Sequence, residues 1–146
     1  MTGPEGMRLH HIGVVTRGIE KELPFFELLG YRKISDMHAE PDQKVRGMFI
    51  AAPGQPVLEL LENIEENGPL DVLLERGIKF YHFAYAVADI DQALERILSS
   101  QGGKVIVPAA HSSYFRRICF VMLRNMMLIE LVETDPVRDA NERAAR

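Results

Sequence analysis

An internal repeat divides this sequence into two related parts. A segment that reads LELLE near the middle of the chain returns as IELVE near its end. The first glutamates of these segments, Glu59 and Glu130, lie 71 positions apart, and the same offset separates His11 from His82, each of which begins an apolar run. Two copies of roughly 60 residues are too long for solenoid units and indicate a duplicated supersecondary module. Each module supplies one imidazole and one carboxylate.

Length and composition limit the class of protein. The 146 residues suffice for one domain of ordinary size or for two small halves that share a core. With 47% hydrophobic and 26% charged residues, the composition is typical of a globular protein. No uncharged apolar run approaches the roughly 20 residues that a membrane-spanning helix needs. The net charge of −4 comes from mixed acids and bases without a basic stripe, so neither nucleic acid nor a membrane is expected as a partner.

Two further features concern location and redox chemistry. The first residues lack the basic and apolar segments of a secretory signal, so the expected location is cytoplasmic. Cys119 is the only cysteine and lies within an apolar run. This position predicts a buried, unreactive thiol, and a single cysteine excludes an intramolecular disulfide.

The first module, residues 8–62, has the pattern of a strand, a helix and three further strands. Alternation in the first strand places His11 and Gly13 on one face and Ile12 and Val14 on the other. Apolar residues then recur every three or four positions until Gly30, a typical glycine stop for a helix. The polar segment 36–44 is interpreted as a loop or an irregular edge. The predicted elements are strand 9–16, helix 18–29 and strands 31–35, 45–51 and 56–61.

The second module, residues 79–133, has the same predicted order. It begins with strand 80–88 and a helix at 89–100 whose N-cap is Asp89, followed by strands 104–107, 118–123 and 127–133. A connector at 63–78 contains a short helical stretch. The tail, 134–146, has few large apolar residues and is predicted to be a frayed helix or disordered, without chemistry. The two modules form one α+β domain.

The repeated histidines and glutamates are candidate metal ligands. Each is an ionisable residue within an apolar run, and burial without a partner would be costly. Taken singly, such residues are usually ordinary core or surface groups. Four of them converging from four strands could all be satisfied by one divalent cation. Two imidazoles and two carboxylates suit manganese, iron(II), cobalt, nickel or zinc and leave positions open for water or substrate.

Three neighbouring polar residues are assigned away from this site by the alternation of strand side chains. Glu62 and Glu133 do not share the faces of Glu59 and Glu130, and they are interpreted as solvated strand ends. His10 is expected to face away from the metal site for the same reason.

Five segments of the chain resemble a known family. They read HHIGVV at 10–15, FFELLGY at 25–31, DQKVR at 42–46, LLERGIKFYHFAYAVADID at 73–91 and LIELV at 128–132. Over nearly all of residues 8–133 the chain resembles the vicinal oxygen chelate superfamily, with the glyoxalase and bleomycin-resistance fold, and most closely its methylmalonyl-CoA epimerase-like members. The resemblance implies two tandem βαβββ modules that form a half-open β cup. The metal ligands it implies are His11, Glu59, His82 and Glu130.

The sequence departs from the epimerase pattern at several positions. Epimerases commonly have a second histidine where Tyr81 precedes His82, and glutamine where this chain has Glu59; two histidines with two glutamates resemble the ligands of lactoylglutathione lyases. Gly47 stands where some epimerases have a second acid, so a mechanism with two separate bases is not implied.

The loop 111–117, usually glycine-rich in the epimerases, reads HSSYFRR and is either a solvated hairpin edge or a lid. In a lid, Arg116 or Arg117 would meet an anionic group of the substrate, and Arg46 carries the same alternatives.

These features favour a metal-dependent isomerase or epimerase, or a lyase of the glyoxalase type. Glu130 or Glu59 would move a proton next to the carbonyl group of a small-molecule substrate such as an acyl thioester. One alternative is a non-catalytic drug- or metabolite-binding protein of the same fold. A less favoured alternative is an iron-dependent dioxygenase, which normally uses two histidines and one carboxylate. Exposed sheet edges and an apolar cup also predict a homodimer.

Overall fold

The computed structural model describes residues 7–134, which form nine strands and three α-helices. The strands are β1 (Arg8–Val15), β2 (Arg32–Lys33), β3 (His38–Glu40), β4 (Val45–Ala51), β5 (Leu58–Asn63), β6 (Phe80–Val87), β7 (Gly103–His111), β8 (Arg117–Leu123) and β9 (Leu128–Glu133). The helices are α1 (Ile19–Glu27), α2 (Asp71–Glu75) and α3 (Ile90–Ser99), with a 3-10 turn at Pro41–Gln43. The predicted α+β class is confirmed, and the predicted module order is found twice, with β3 as an additional strand in the first module.

The chain divides into two compact units. The N-terminal unit contains residues 11–81, and the C-terminal unit contains the described residues 7–10 and 82–134. Strand β1 therefore contributes its first residues to the C-terminal unit and the remainder to the N-terminal unit. Of the predicted tail at 134–146, all but residue 134 lies outside the described residues.

In the N-terminal unit, parallel and antiparallel pairs form one sheet in the order β2-β4-β5-β1, with β3 also paired to β4. Strand β5 runs parallel to β1, where Gly13 lies opposite Glu59, and antiparallel to β4, where Phe49 lies opposite Glu59. Residues at even positions, among them Val14, Met48 and Leu60, pack with Ile19 of α1 in a hydrophobic core. Glu59 belongs to the other face of this sheet because side chains alternate along a strand.

The C-terminal unit repeats this arrangement in the order β6-β9-β8-β7. Strand β9 is parallel to β6, with Ala84 opposite Glu130, and antiparallel to β8, with Phe120 opposite Glu130. Both pairings are those of the N-terminal unit shifted by 71 positions. The core on the helix side contains Cys119, Val121 and Leu131 packed against Ile90 of α3.

Strand boundaries differ from the sequence prediction most clearly at two places. The segment 36–44 contains β3, in which His38 pairs with Gly47 of β4. Strand β7 continues to His111 instead of ending at residue 107. The prediction ends the strand before Pro108, because proline cannot donate a hydrogen bond to a neighbouring strand. The strand passes through it because β7 lies at the edge of this sheet and its pairing with β8 shifts register between Val107 and Ala110.

The helix signals of the sequence are confirmed. Asp89 caps α3 by accepting hydrogen bonds from the backbone N–H groups of Asp91 at 2.8 Å and Gln92 at 3.2 Å. Gly30 follows α1 with a φ of +94°, a conformation that glycine adopts without the steric penalty of a Cβ atom.

The predicted burial of Cys119 is also confirmed, and this burial raises the pKa of its thiol, which disfavours the nucleophilic thiolate. Within residues 7–134, no helix is both long and apolar enough to cross a membrane.

Candidate metal centre

The N-terminal unit contains a buried histidine–glutamate pair. Glu59 lies opposite Gly13, and His11 lies two residues before Gly13 on the same face of β1. This diagonal relationship brings His11 Nε2 to 3.2 Å from Glu59 Oε1, with side-chain exposures of 0% and 9%. Glycine at position 13 adds no side chain between the two groups. An imidazole and a carboxylate thus meet where almost no water reaches them.

The C-terminal unit contains the equivalent pair. Glu130 lies opposite Ala84, and His82 precedes Ala84 by two residues. The distance from His82 Nε2 to Glu130 Oε1 is 3.3 Å, and the side chains are 2% and 7% exposed. The two nitrogen–oxygen distances therefore agree to within about 0.1 Å. This agreement is stronger evidence for a repeated site than the repeat of residue types alone.

An aromatic ring supports each imidazole. Phe49 meets His11 edge-on with ring centroids 4.9 Å apart, and Phe120 meets His82 edge-on at 5.3 Å. Sequence reasoning missed these two phenylalanines, although they are separated by the same 71 positions as the histidines. Their packing against the rings restricts the orientation of each imidazole within its strand.

The donor atoms of the pairs fit a divalent ion. Metal–nitrogen and metal–oxygen bonds of about 2.0–2.2 Å place two donors on one ion about 3.0–3.6 Å apart. The separations of 3.2 and 3.3 Å within the two pairs fall in this range. His11, Glu59, His82 and Glu130 are all buried and carry the donor atoms that a metal ion could use. Imidazole with carboxylate suits a first-row transition metal better than calcium or magnesium.

A third histidine contacts one of these glutamates. His38 Nε2 lies 2.8 Å from Glu59 Oε2, so two imidazoles contact the two oxygens of one carboxylate. Sequence reasoning did not single out His38, because it lies in the polar segment 36–44. No spacing signal identified it, since only its pairing with β4 brings it to Glu59.

The interpretation of Glu62 and Glu133 as solvated strand ends is wrong, because both carboxylates accept hydrogen bonds from backbone N–H groups. Glu133 is 7% exposed, and its Oε2 accepts a hydrogen bond from the backbone N–H of Ile90 at 2.8 Å. Glu62 Oε1 accepts one from the backbone N–H of Ile19 at 3.2 Å. Each carboxylate thereby satisfies an N–H group at the start of a helix, which is favourable for a negative charge.

Two of the three arginines considered as substrate contacts have carboxylate partners within their units. Arg117 donates to Glu133 at 3.0 and 2.6 Å and to Asp91 at 3.3 Å. Arg46 Nε lies 3.7 Å from Glu62 Oε2, and Arg46 Nη2 donates to the carbonyl of Ile64 at 3.2 Å. The residues in these two ion pairs are again 71 positions apart. Both arginines therefore support the carboxylates that cap the helices.

The loop between β7 and β8 is held by local hydrogen bonds. The hydroxyl of Ser112 accepts hydrogen bonds from the backbone N–H groups of Tyr114 and Phe115, each at 3.1 Å. Phe115 is buried and meets His10 edge-on, with ring centroids 5.2 Å apart. Arg116 is exposed in this loop. Of the three candidate arginines, Arg116 has the most accessible side chain.

Comparison with known proteins places this geometry in context. The model for the family described as the Glyoxalase/Bleomycin resistance protein/Dioxygenase superfamily matches residues 10–120. A comparison with the curated proteins finds no match.

Several solved structures are similar to this chain. A hypothetical protein from Bacillus halodurans C-125 is 25% identical with a TM-score of 0.76, over 88% of this chain and 95% of that one. Methylmalonyl-CoA epimerase from Mycobacterium tuberculosis is 26% identical with a TM-score of 0.75, over 96% and 97% of the two chains. A Streptomyces coelicolor methylmalonyl-CoA epimerase in complex with 2-nitronate-propionyl-CoA is 22% identical with a TM-score of 0.73, over 89% and 99%. The predicted fold is thereby confirmed.

Proposed function

We propose, from the premise that the chain belongs to the Glyoxalase/Bleomycin resistance protein/Dioxygenase superfamily, that it is a metal-dependent isomerase or epimerase. It would move a proton next to the carbonyl group of a small-molecule substrate, as in methylmalonyl-CoA epimerases. The observation that carries this proposal is the buried histidine–glutamate pair found once in each unit at the same spacing. Burial of ionisable side chains is costly unless they are paired or bind a metal, and buried ionisable groups of this kind cluster at functional sites.

The proposed ligands are His11, Glu59, His82 and Glu130, which would hold one divalent ion between them. A single pair offers only two donors, whereas protein sites for zinc and related metals use three or four. Two neutral imidazoles and two carboxylates balance the charge of one divalent ion. When bound, the ion supplies Lewis-acid polarisation of a substrate carbonyl, which makes the neighbouring C–H more acidic.

The chain itself has to supply the proton carrier. Glu130 is the proposed carrier, and Glu59 is the alternative, because each carboxylate lies at the proposed site. In an epimerase the carrier takes the proton from the carbon and leaves a planar enolate, and the configuration is inverted when the carrier returns a proton to the other face after the enolate has turned over. The burial of both glutamates limits the access of bulk water, so the substrate proton is transferred to the carboxylate, and the carboxylate then exchanges its proton with solvent.

The proposed substrate class is an acyl thioester or a 2-oxo compound. Similar structures are described as complexes with methylmalonyl-CoA and with 2-nitronate-propionyl-CoA, which supports an acyl thioester. We propose that Arg116 contacts an anionic group of this substrate, because its side chain is exposed in the loop between β7 and β8. Arg46 and Arg117 are weaker candidates, since their ion pairs with glutamates already hold them.

Deuterium exchange tests the proposed reaction. Metal-loaded protein in deuterated water, incubated with a panel of 2-substituted acyl thioesters and 2-oxo compounds, should incorporate deuterium at the carbon next to the carbonyl. Glu130→Gln, whose amide oxygen can still bind the ion, should keep most of the metal and reduce the exchange rate by about 10²- to 10⁴-fold, the contribution of a positioned acid or base. Glu95→Gln, which changes an exposed glutamate of α3, is the matched control and should exchange at the wild-type rate.

The outcomes separate the candidate functions. Undiminished exchange in both Glu130→Gln and Glu59→Gln would remove the proposed proton carriers. Stoichiometric metal binding without exchange for any compound would favour the alternative of a non-catalytic binding protein. Oxygen consumption dependent on iron(II) would favour a dioxygenase instead.

A further inference from the structure

Glu59 is held through both of its carboxylate oxygens. Oε1 lies 3.2 Å from His11 Nε2, and Oε2 lies 2.8 Å from His38 Nε2. The His38 side chain is 10% exposed and the Glu59 side chain 9%. The shorter contact has the length of a charge-assisted hydrogen bond, which is stronger than one between neutral groups.

The backbone of β4 provides the space for this contact. Position 47 lies opposite His38 in the β3–β4 pair and is glycine. A Cβ atom at this position would lie 2.8 Å from Glu59 Oε2 and 2.9 Å from His38 Nε2. Both distances are shorter than real Cβ contacts, so any larger residue would displace the imidazole, the carboxylate or both. The absence of a side chain at Gly47 is therefore a condition for the contact.

Phe49 fixes the plane of the His38 ring. The two rings are stacked with centroids 5.2 Å apart and an interplanar angle of 20°. The same phenylalanine also meets His11 edge-on. One aromatic side chain thus orients both imidazoles that contact Glu59, and each can rotate only by losing this packing.

The second module has no equivalent of His38. The counterpart of Gly47 is Ile118, a buried core residue, and the residue paired with Ile118 is Ala110. Alanine offers no side-chain donor, and isoleucine would fill the space that glycine leaves open. The repeat therefore reproduces the histidine–glutamate pair but not the third group, which is specific to Glu59.

We propose that His38 is a positioning residue that holds Glu59 in its orientation as a metal ligand; this inference rests on the metal site proposed above. By donating from Nε2 to Oε2, His38 leaves Oε1 directed to the ion on the side of His11. Residues that orient a ligand in this way typically change metal affinity by about 10- to 100-fold when they are removed. His38 itself does not touch the substrate or the metal in this role.

Metal affinity of the full-length protein tests the inference. The dissociation constant for Zn²⁺ is measured by competition with a chromophoric chelator, and the visible spectrum of bound Co²⁺ reports the coordination. His38→Ala should weaken Zn²⁺ binding by about 10- to 100-fold and shift the Co²⁺ bands. His38→Gln should recover most of the affinity, since its amide can donate to the same carboxylate oxygen. His111→Ala changes an exposed histidine and should bind as the wild type does.

Each outcome decides between the two proposals. If the wild-type chain binds no stoichiometric Zn²⁺ or Co²⁺, the proposed metal site fails. If the wild type binds and His38→Ala binds equally well with an unchanged Co²⁺ spectrum, only the role of His38 is overturned. Equal losses in His38→Ala and His38→Gln would also overturn it, because a donor at this position would then make no difference. Should His38→Ala not fold, His38→Leu, which preserves packing on Phe49 but cannot donate, replaces it.

Discussion

Glu133 Oε2 accepts a hydrogen bond from the backbone N–H of Ile90 at 2.8 Å, a contact that joins residues 43 positions apart in the chain. Glu62 and Ile19 make the same contact over the same sequence separation at 3.2 Å. In α1 the N-cap residue Gly18 has no side chain to cap the helix, so the distant carboxylate takes that role. The two strands that carry the proposed glutamate ligands, β5 and β9, thereby also hold the first residue of a helix.

The stability contribution of Glu133 should depend on pH. The hydrogen bond from Arg117 lowers the pKa of Glu133, the backbone N–H of Ile90 acts in the same direction, and burial opposes both. A lowered folded-state pKa means that the contribution is present above the ordinary value of 4.5 and is lost as the pH falls through the folded-state pKa. Glu133→Gln should therefore lower the free energy of unfolding by about 1–2 kcal/mol at pH 7.

Urea unfolding of both proteins at pH 7, 5, 4 and 3 measures this effect. The difference between wild type and Glu133→Gln should be largest at pH 7 and should shrink below pH 4.5. A difference that stays constant over this range would show that the charge of Glu133 does not contribute. Glu95→Gln is the control for the loss of a carboxylate at an exposed position.

Removing one proposed ligand from either unit should abolish binding of the same single ion. His11→Ala and His82→Ala should each reduce the metal content from one ion per chain to nearly none. The affinity should fall by at least about 100-fold, because each variant removes one of the four direct bonds to the ion. Elemental analysis after reconstitution and gel filtration gives the stoichiometry. Two ions in the wild type, with one lost in each variant, would contradict a shared site.

Gly47→Ala should weaken metal binding without removing any polar group. The added Cβ would lie within 3 Å of both Glu59 Oε2 and His38 Nε2, so at least one of the two side chains must leave its position. We expect a loss of affinity of about tenfold, close to that of His38→Ala, together with a destabilisation of about 1–3 kcal/mol from overpacking. In Gly18→Ala the new Cβ meets only the flexible side chain of Lys21 at 3.4 Å, so this control should keep its affinity.

Arg116 and Arg117 should respond differently to substitution despite being neighbours. Arg116→Ala should raise the KM of an anionic substrate by about 10-fold or more and leave stability within about 0.5 kcal/mol, as is usual for an exposed position. Arg117→Ala removes the partner of Glu133 and should lower stability while leaving KM nearly unchanged. Steady-state kinetics with the substrate identified by exchange, and urea unfolding, compare the two. A raised KM in Arg117→Ala together with an unchanged KM in Arg116→Ala would show that Arg117, and not Arg116, contacts the substrate.

The protein should be a homodimer. The sheet of the C-terminal unit ends at β7, where Ile106 is 47% exposed, and an exposed edge with apolar side chains favours pairing with another chain. Sedimentation velocity at micromolar concentrations should give a single species with twice the mass of the 16.5 kDa chain. A monomer over this concentration range would contradict the prediction.

The repeat and the alternation of strand side chains were sufficient to predict much of the molecule. They predicted both modules, the helix ends at Asp89 and Gly30 and, in each unit, the residues that form the buried pair. These features follow from local periodicity, and a duplication displays each of them twice. The offset of 71 residues holds for strand pairing as well as for residue type. Gly13 lies opposite Glu59 in one unit, and Ala84 lies opposite Glu130 in the other.

Other contacts depended on the tertiary structure. Alternation correctly took Glu62 and Glu133 off the ligand face, but it could not show that the opposite face holds the N-terminus of a helix. Strand β7 continues through Pro108 because it lies at the edge of a sheet. The sequence around Pro108 does not show whether a strand lies at an edge.

The sequence by itself determined which histidines and glutamates repeat and on which side of a strand each lies, because backbone geometry makes side-chain direction a function of position. Only the tertiary structure decided that Glu59 has a second histidine and that Glu130 has no repeat-related equivalent of it. His38 reaches Glu59 through the pairing of β3 with β4 and through the space at Gly47. Such a contact is set by strand register and by a missing side chain across the sheet, and neither leaves a periodic signal in the chain.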